Sequence, residues 1–282
     1  MSRSILLLFF FFGWLVPLSA QDGVQLARVQ YQRMFPGKGQ LNESTFKGAF
    51  TIPIPMGEKW ALVAGFRPEQ LDWEYARLSQ TMIQFGLNRS QGDRDWQVLA
   101  LWRRNKTEDL ETEPVDQWGI WALYKWRSQN GLKWGLGTYV NRERFGWLVV
   151  PLVYIDWKIS DRWRAYGNLP ITARIGYSVT EQFSTGLAFF GLASSYDDQM
   201  STYIERRSNE LTLFAEYQLW KGFFADLRFG MALGRQYGRF DQGDEMDLSL
   251  SLLRFGDDRT PYFETSGSVP ILELGLTYRL MR

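Results

Sequence analysis

The sequence predicts an all-β chain: a transmembrane, antiparallel, up-and-down β-barrel of about fourteen strands, with twelve as the alternative. Three observations predict it. First, a short phrase recurs in which a polar pair or single polar residue precedes an aromatic that opens an alternating run. It stands at Glu58-Lys59-Trp60, Arg94-Asp95-Trp96, Leu132-Lys133-Trp134, Asp161-Arg162-Trp163, Glu181-Gln182-Phe183 and Lys221-Gly222-Phe223. Second, apolar side chains continue in the parity of that aromatic, as in Trp60, Leu62, Ala64 and Phe66, or Phe223, Ala225, Leu227, Phe229 and Met231. Alternate side chains share one face of a strand, so the rings gather at one end of several strands on their apolar face. Such a ring of aromatics marks the lipid–water boundary of a membrane barrel. Third, mean hydropathy is only −0.28 although aromatics make up 16 % of the chain. A barrel reconciles the two values, because half of each strand faces away from lipid.

The elements follow in order. Residues 24–34 and 44–56 form the first hairpin, and twelve strands result if it stays outside the barrel. Residues 44–56 place Phe46, Gly48, Phe50, Ile52 and Ile54 on one face against Thr45, Lys47 and Thr51 on the other. Short turns at Met56–Lys59, Gln91–Asp95, Ser128–Leu132, Ser160–Arg162, Thr180–Gln182 and Trp220–Gly222 delimit strands 59–68, 78–89, 95–104, 117–127, 132–141, 148–158, 162–169, 171–179, 182–194, 208–220 and 223–237. The strand 269–281 closes the series. Longer connections lie near 35–43, 69–77, 105–116, 141–147, 195–207 and 238–268. Barrels of this kind keep short turns on one side and long loops on the other. That alternation requires a tight turn at Pro170, and it leaves Met246, Leu248, Leu250 and Leu252 as a hairpin arm inside the last loop.

The amino terminus reads as a cleaved export signal over residues 1–20, with Arg3, an apolar run from Ile5 to Val16 and a cleavage site after Ala20. Residues 21–282 then form the barrel. The chain has no Cys and no His, which excludes disulfides, thiolate or imidazole metal sites and a Ser-His-Asp triad. No cofactor or metal is expected. Lys and Arg total 32 against 31 Asp and Glu, so nothing favours nucleic acid as a partner.

The phase of the strands assigns candidate residues. Lumen-facing charges are Lys47, Arg67, Arg103, Lys125, Asp156, Lys158, Arg164, Arg174, Glu210, Glu216, Asp226, Arg228, Glu273 and Arg279. Membrane-interface aromatics are Trp60, Trp96, Trp126, Trp134, Trp157, Trp163, Phe183, Tyr217, Phe223 and Tyr278, joined by Tyr177. The charges either line a pore or pair with one another and fill the lumen, and the interspersed signs favour pairing. Across the turn at 220–222, Glu216 meets Asp226 in one register and Arg228 in the other; charge complementarity favours Arg228. Outer-loop acids (Glu108, Asp109, Glu111, Glu113 and Asp116; Asp197 and Asp198; Asp241, Asp244, Glu245 and Asp247) suit either plain solvation or divalent cations.

Two stretches carry a resemblance. Glu273-Leu274-Gly275-Leu276-Thr277-Tyr278-Arg279-Leu280 is similar to the carboxy-terminal signal read by the bacterial barrel-assembly machinery, although Met281 and Arg282 replace a terminal aromatic. Gly135-Leu136-Gly137-Thr138-Tyr139, Pro151-Leu152-Val153-Tyr154, Trp163-Arg164-Ala165-Tyr166-Gly167 and Leu169-Pro170 resemble an uncharacterised family of Gram-negative outer-membrane β-barrels, over residues 77–282 and most clearly over 117–190. The resemblance implies residence in the outer membrane, with lipid and lipopolysaccharide as surroundings and the assembly machinery as a partner in biogenesis. It implies no activity. Three function classes stand: a surface barrel with a charge-paired lumen, a porin-like channel for small polar solutes, and an enzyme using a carboxylate pair.

Overall fold

A computed structural model of the protein describes residues 23–36, 42–108, 114–128, 132–199, 201–251 and 253–281. The expected export signal and the loop acids Asp109, Glu111 and Glu113 lie outside the described residues. The strands are β1 (Val24–Met34), β2 (Glu43–Met56), β3 (Trp60–Trp73), β4 (Ala76–Gln91), β5 (Arg94–Thr107), β6 (Gln117–Arg127), β7 (Leu132–Glu143) and β8 (Gly146–Lys158). There follow β9 (Trp163–Leu169), β10 (Thr172–Ser178), β11 (Phe183–Asp198), β12 (Thr202–Trp220), β13 (Phe223–Asp241), β14 (Met246–Leu250), β15 (Leu253–Phe255) and β16 (Phe263–Leu280). Sequence neighbours pair antiparallel, β13 passes directly to β16, and β1–β16 together with β8–β9 close a barrel of fourteen strands. The turn at Pro170 separates β9 from β10, as the alternation of turns required.

Where one face meets lipid, the pattern is regular. Phe46, Phe50, Ile52 and Ile54 of β2 are exposed while Thr45 is buried, and Leu211, Leu213, Leu227, Leu274 and Leu276 are exposed on β12, β13 and β16. An exposed apolar belt of this extent is stable only against hydrocarbon, and the chain is a transmembrane barrel. Arg at Leu213, which is 60 % exposed, or at Leu227 or Leu274, should cost about 2–4 kcal/mol of barrel stability near mid-membrane. Thr212→Ser, on the inward face of the same strand, should be milder. Equilibrium urea unfolding of the refolded protein measures both, and equal losses at Leu213 and Thr212 would refute the assigned phase.

Two expectations are corrected. The connections near 69–77, 141–147 and 195–207 are largely strand: β3 and β4 run to Trp73 and from Ala76, β7 and β8 turn at 144–145, and β11 and β12 extend to Asp198 and from Thr202. Beyond the bilayer both faces of a strand meet protein or water, so alternation lapses; Thr202 to Arg206 are all buried. The long loop at 238–268 likewise shrinks, because β13 and β16 extend into it. Its hairpin arm is β14–β15, and β14 pairs parallel to β8. The interior also carries apolar surface. The inward face of β8 reads Leu148, Val150, Leu152 and Tyr154, all buried. With Leu99, Leu101, Leu123 and Tyr139 they form an apolar cluster inside the outer half of the barrel, closed by Tyr203, Phe240 and Met246.

Strands β9 and β10 have only seven residues each. A membrane strand needs roughly 9–11, so this hairpin falls short of the outer interface. That shortness positions everything at the outer mouth.

Candidate functional site

The interior is organised as ion-pair clusters. In the inner half, Arg28 of β1 reaches Asp226 at 2.7 Å and Glu273 at 3.2 Å, and donates to Thr277 at 3.1 Å. Arg228 joins the same two acids at 3.1 and 3.4 Å. Beside this cluster, Glu216 accepts from Arg279 at 2.6 Å and from Arg174 at 3.3 Å. The Arg174 guanidinium lies 3.6 Å from the centre of the Phe214 ring and that of Arg279 4.3 Å from Phe224, contacts that favour a cation over an aromatic face. Asp156 pairs with Arg164 at 2.9 Å, and the Lys125 ammonium sits 4.5 Å from the centre of the Tyr154 ring.

The favoured register at 220–222 is therefore corrected: Glu216 lies opposite Asp226, and Arg228 opposite Phe214. The tight turn, Trp220 against Phe223, sets the register together with a bulge between Gln218 and Trp220. Two acids become neighbours without penalty because their cations arrive from other strands, Arg28 for Asp226 and Arg174 with Arg279 for Glu216.

Lys47 is half-buried with its ammonium 5.3 Å from the centre of the Phe190 ring. Arg67 is exposed to the lumen and donates to Gln84 at 3.3 Å. Lys158 lies at the inner rim, paired with Asp161. The interface aromatics gather in touching pairs at the inner end: Trp60 with Trp96, Trp126 with Trp134, Trp163 with Tyr177, and Phe223 with Tyr278. Trp157 is exposed on the outer surface near that end, and Phe183 lies opposite Tyr217.

The outer half holds a buried network that sequence reasoning missed. Arg206 and Arg235, both 0 % exposed, share Glu43 at 3.2 and 3.4 Å. Arg206 also meets Glu69 at 2.6 Å, Arg235 meets Glu210 at 2.9 Å, and the Tyr237 hydroxyl donates to Glu43. Unbroken alternation from Phe223 would turn Arg235 outward. A bulge between Ala232 and Arg235 reverses the phase, with Gly234 taking the left-handed conformation at φ 56°.

Above Gly191, β11 has lost its β10 partner, and that free edge turns into the lumen. Ser195 donates from its backbone N–H to Glu143 at 2.9 Å and from its hydroxyl at 2.7 Å. Its carbonyl accepts from Asn105 at 2.8 Å and Gln117 at 3.1 Å, and its hydroxyl oxygen accepts from the backbone of Arg144 at 2.8 Å. Glu143, fully buried, is held in turn by Arg103 and Asn141, each at 2.8 Å. Farther along, Asp197 meets Lys106 of β5 in a short parallel bridge and pairs with Arg144 at 2.9 Å. Backbone groups that lipid cannot satisfy are thus satisfied by polar side chains of β5, β6 and β7 across the mouth. The arrangement closes the outer mouth with a hydrogen-bonded clamp.

Several outer acids also have guanidinium partners. Asp116 pairs with Arg104, whose hydrogen bond holds that carboxyl below its ordinary range, Glu108 with Arg77, Asp198 with Arg239 and Glu245 with Arg142. Among the described residues no cluster of acids converges as a metal site.

Residues 118–243 match a family model described as a domain of unknown function (DUF6268). This span is narrower than the 77–282 read from the sequence but contains nearly all of its clearest part. No curated protein matches the chain. Similar solved structures include the NanC porin, at 8 % identity over 90 % of this chain and 100 % of that chain, with a TM-score of 0.39. Another is the translocator domain of the autotransporter NalP from Neisseria meningitidis, at 10 % identity over 92 % and 89 %, with a TM-score of 0.39. A third is the TodX monoaromatic hydrocarbon channel deltaS2 mutant, at 10 % identity over 90 % and 88 %, with a TM-score of 0.40.

Proposed function

We propose, taking as premise a membrane barrel whose residues 118–243 carry this uncharacterised domain, that the protein is a non-enzymatic barrel of the Gram-negative outer membrane with its interior closed to free solute passage. One observation carries the reading: the inward-turned edge of β11, clamped at Ser195 by Glu143, Asn105 and Gln117 across the outer mouth. The ion-pair clusters beneath it support the same reading, since interior carboxylates held by guanidinium groups have little freedom to act as acid or base. The lipopolysaccharide leaflet and the assembly machinery are the surroundings and biogenesis partner this location entails.

A porin-like channel is the second reading, and Arg67 favours it. Its side chain is exposed to the lumen and, among the described residues, donates to the neutral Gln84, so the interior admits water around a cation at that level. Refolded protein in a planar bilayer separates the two. The closed barrel should give no stepwise current under moderate voltage. A steady, charge-selective current in the wild-type protein would overturn it and install the channel.

A further inference from the structure

Arg67 stands apart from the other interior arginines. Among the described residues it meets no carboxylate, whereas Arg28, Arg103, Arg174, Arg206, Arg228 and Arg235 each do. The local sequence explains why. Its same-face neighbour on β3, Glu69, lies opposite Lys47 and is drawn to Arg206 at 2.6 Å. On the other side position 65 is Gly, and the Gln84 side chain lies over it: a Cβ there would come within 2.5 Å of Gln84 Nε2. So placed, Gln84 Oε1 accepts from Arg67 Nε at 3.3 Å. That bond uses the side of the guanidinium and leaves Nη1 and Nη2 without an acceptor among the described residues.

The charge around Arg67 is unbalanced. In the outer network Arg206 and Arg235 face three carboxylates, Glu43, Glu69 and Glu210. Lys47, with its ammonium over the Phe190 ring, stands beside Glu69 and supplies the third positive charge. Arg67 then adds a positive charge that no side chain cancels. It is exposed within the barrel, and the small residues Thr51 and Gly65, opposite one another, are partly exposed beside it. Water therefore reaches the free edge of the guanidinium. A cation enclosed by low-dielectric walls focuses its field on such a space and raises the local concentration of anions.

The geometry points to Arg67 as a binding site, inside the barrel, for the carboxylate of a small organic monoanion. A planar guanidinium with two free nitrogens on one edge takes both oxygens of a carboxylate in parallel hydrogen bonds. One unbalanced positive charge matches one negative charge; a phosphate dianion would call for a second free cation, and Lys47 stands beside Glu69. Met82, opposite Arg67 and packed against the apolar cluster, offers the organic part an apolar surface. The site rests on the lumen-facing phase of β3 and not on closure of the outer mouth, so a conducting wild-type protein would leave it standing.

The test modifies the folded protein, in a non-ionic detergent, with methylglyoxal, a small dicarbonyl that reacts with accessible guanidinium groups; mass spectrometry quantifies each arginine. Sodium propionate is the probe, against sodium chloride at equal ionic strength. Arg67 should be modified in chloride and several-fold more slowly in propionate. Arg77, outside the belt, should react equally in both, and the buried Arg206 should stay unmodified as a check of folding. Saturation-transfer NMR gives a second readout: transfer from protein to propionate should be lost in Arg67→Gln and reduced in Arg67→Lys, which keeps the charge but not the fork. If Arg67→Gln does not fold, the wild-type protection decides alone. The inference fails if Arg67 is unmodified while Arg77 reacts, if propionate does not protect it, or if folded Arg67→Gln gives undiminished transfer. Equal or better protection by sodium phosphate would overturn the assignment to a carboxylate.

Discussion

Arg206→Met should cost the barrel about 3–5 kcal/mol, the range for breaking a buried ion pair by removing one partner. The substitution keeps most of the side-chain volume, so cavity formation contributes little. What remains is Glu69, which loses its 2.6 Å partner, and Glu43, which keeps Arg235 at 3.4 Å as its cation together with the Tyr237 and Thr45 hydroxyls. Both carboxylates are in a compartment that water barely reaches, where an unmatched charge is expensive. Adding Glu43→Gln to Arg206→Met should recover part of the loss, because one stranded charge is then gone. Denaturant unfolding with unchanged m-value measures the effect as a shift in midpoint. Arg77, half-exposed and paired with Asp72 and Glu108 outside the belt, provides the contrast, and Arg77→Met should be nearly silent. A comparable loss at both arginines would mean that the Arg206 compartment is wet.

How far the sequence reveals such features depends on what each strand faces. In β2, β12 and β16, one face meets hydrocarbon and the other protein, so a period of two is imposed on composition and the phase can be read directly. Leu213, Leu227 and Leu274 are therefore legible. Outside the belt the constraint disappears. Tyr203, Ile204, Glu205 and Arg206 are consecutive and all buried, which reads as an irregular loop although it is strand. Arg235 is hidden by a different cause, since a bulge at Gly234 reverses the phase without a strong signal before it. The partners of Glu216 were hidden because Arg174 and Arg279 come from strands that do not adjoin β12, reached diagonally by long side chains. A cross-strand charge rule sees only nearest neighbours, and here turn geometry decided the register. Glu143 and Ser195 stand far apart in sequence at the margins of two expected strands. Only the shortness of β9–β10 hinted that β11 must find another partner.

Glu143→Ala should convert a silent barrel into one that passes ions. Glu143 is the acid that holds Ser195, accepting from Ser195 twice on one oxygen and from Arg103 and Asn141 on the other. Its removal frees the β11 edge and strands the buried Arg103, whose remaining contact is the Tyr139 hydroxyl. Repulsion of that cation from its dry site and the loss of the anchor both act to loosen the mouth. Asn105→Ala should have a smaller effect, about 1–3 kcal/mol for leaving the Ser195 carbonyl short of a donor, since Gln117 still donates. Glu143→Gln lies between them: the amide oxygen still accepts from Ser195, but the charge that balances Arg103 is lost. Current in a planar bilayer should therefore rise in the order wild type, Asn105→Ala, Glu143→Gln, Glu143→Ala, with the heat-modifiable gel shift retained as proof of folding. If Glu143→Ala folds, loses stability and still passes no current, the seal lies deeper, in the ion-pair clusters around Arg28 and Glu216. The β11 edge would then be a consequence of the short hairpin and not the closure of the pore.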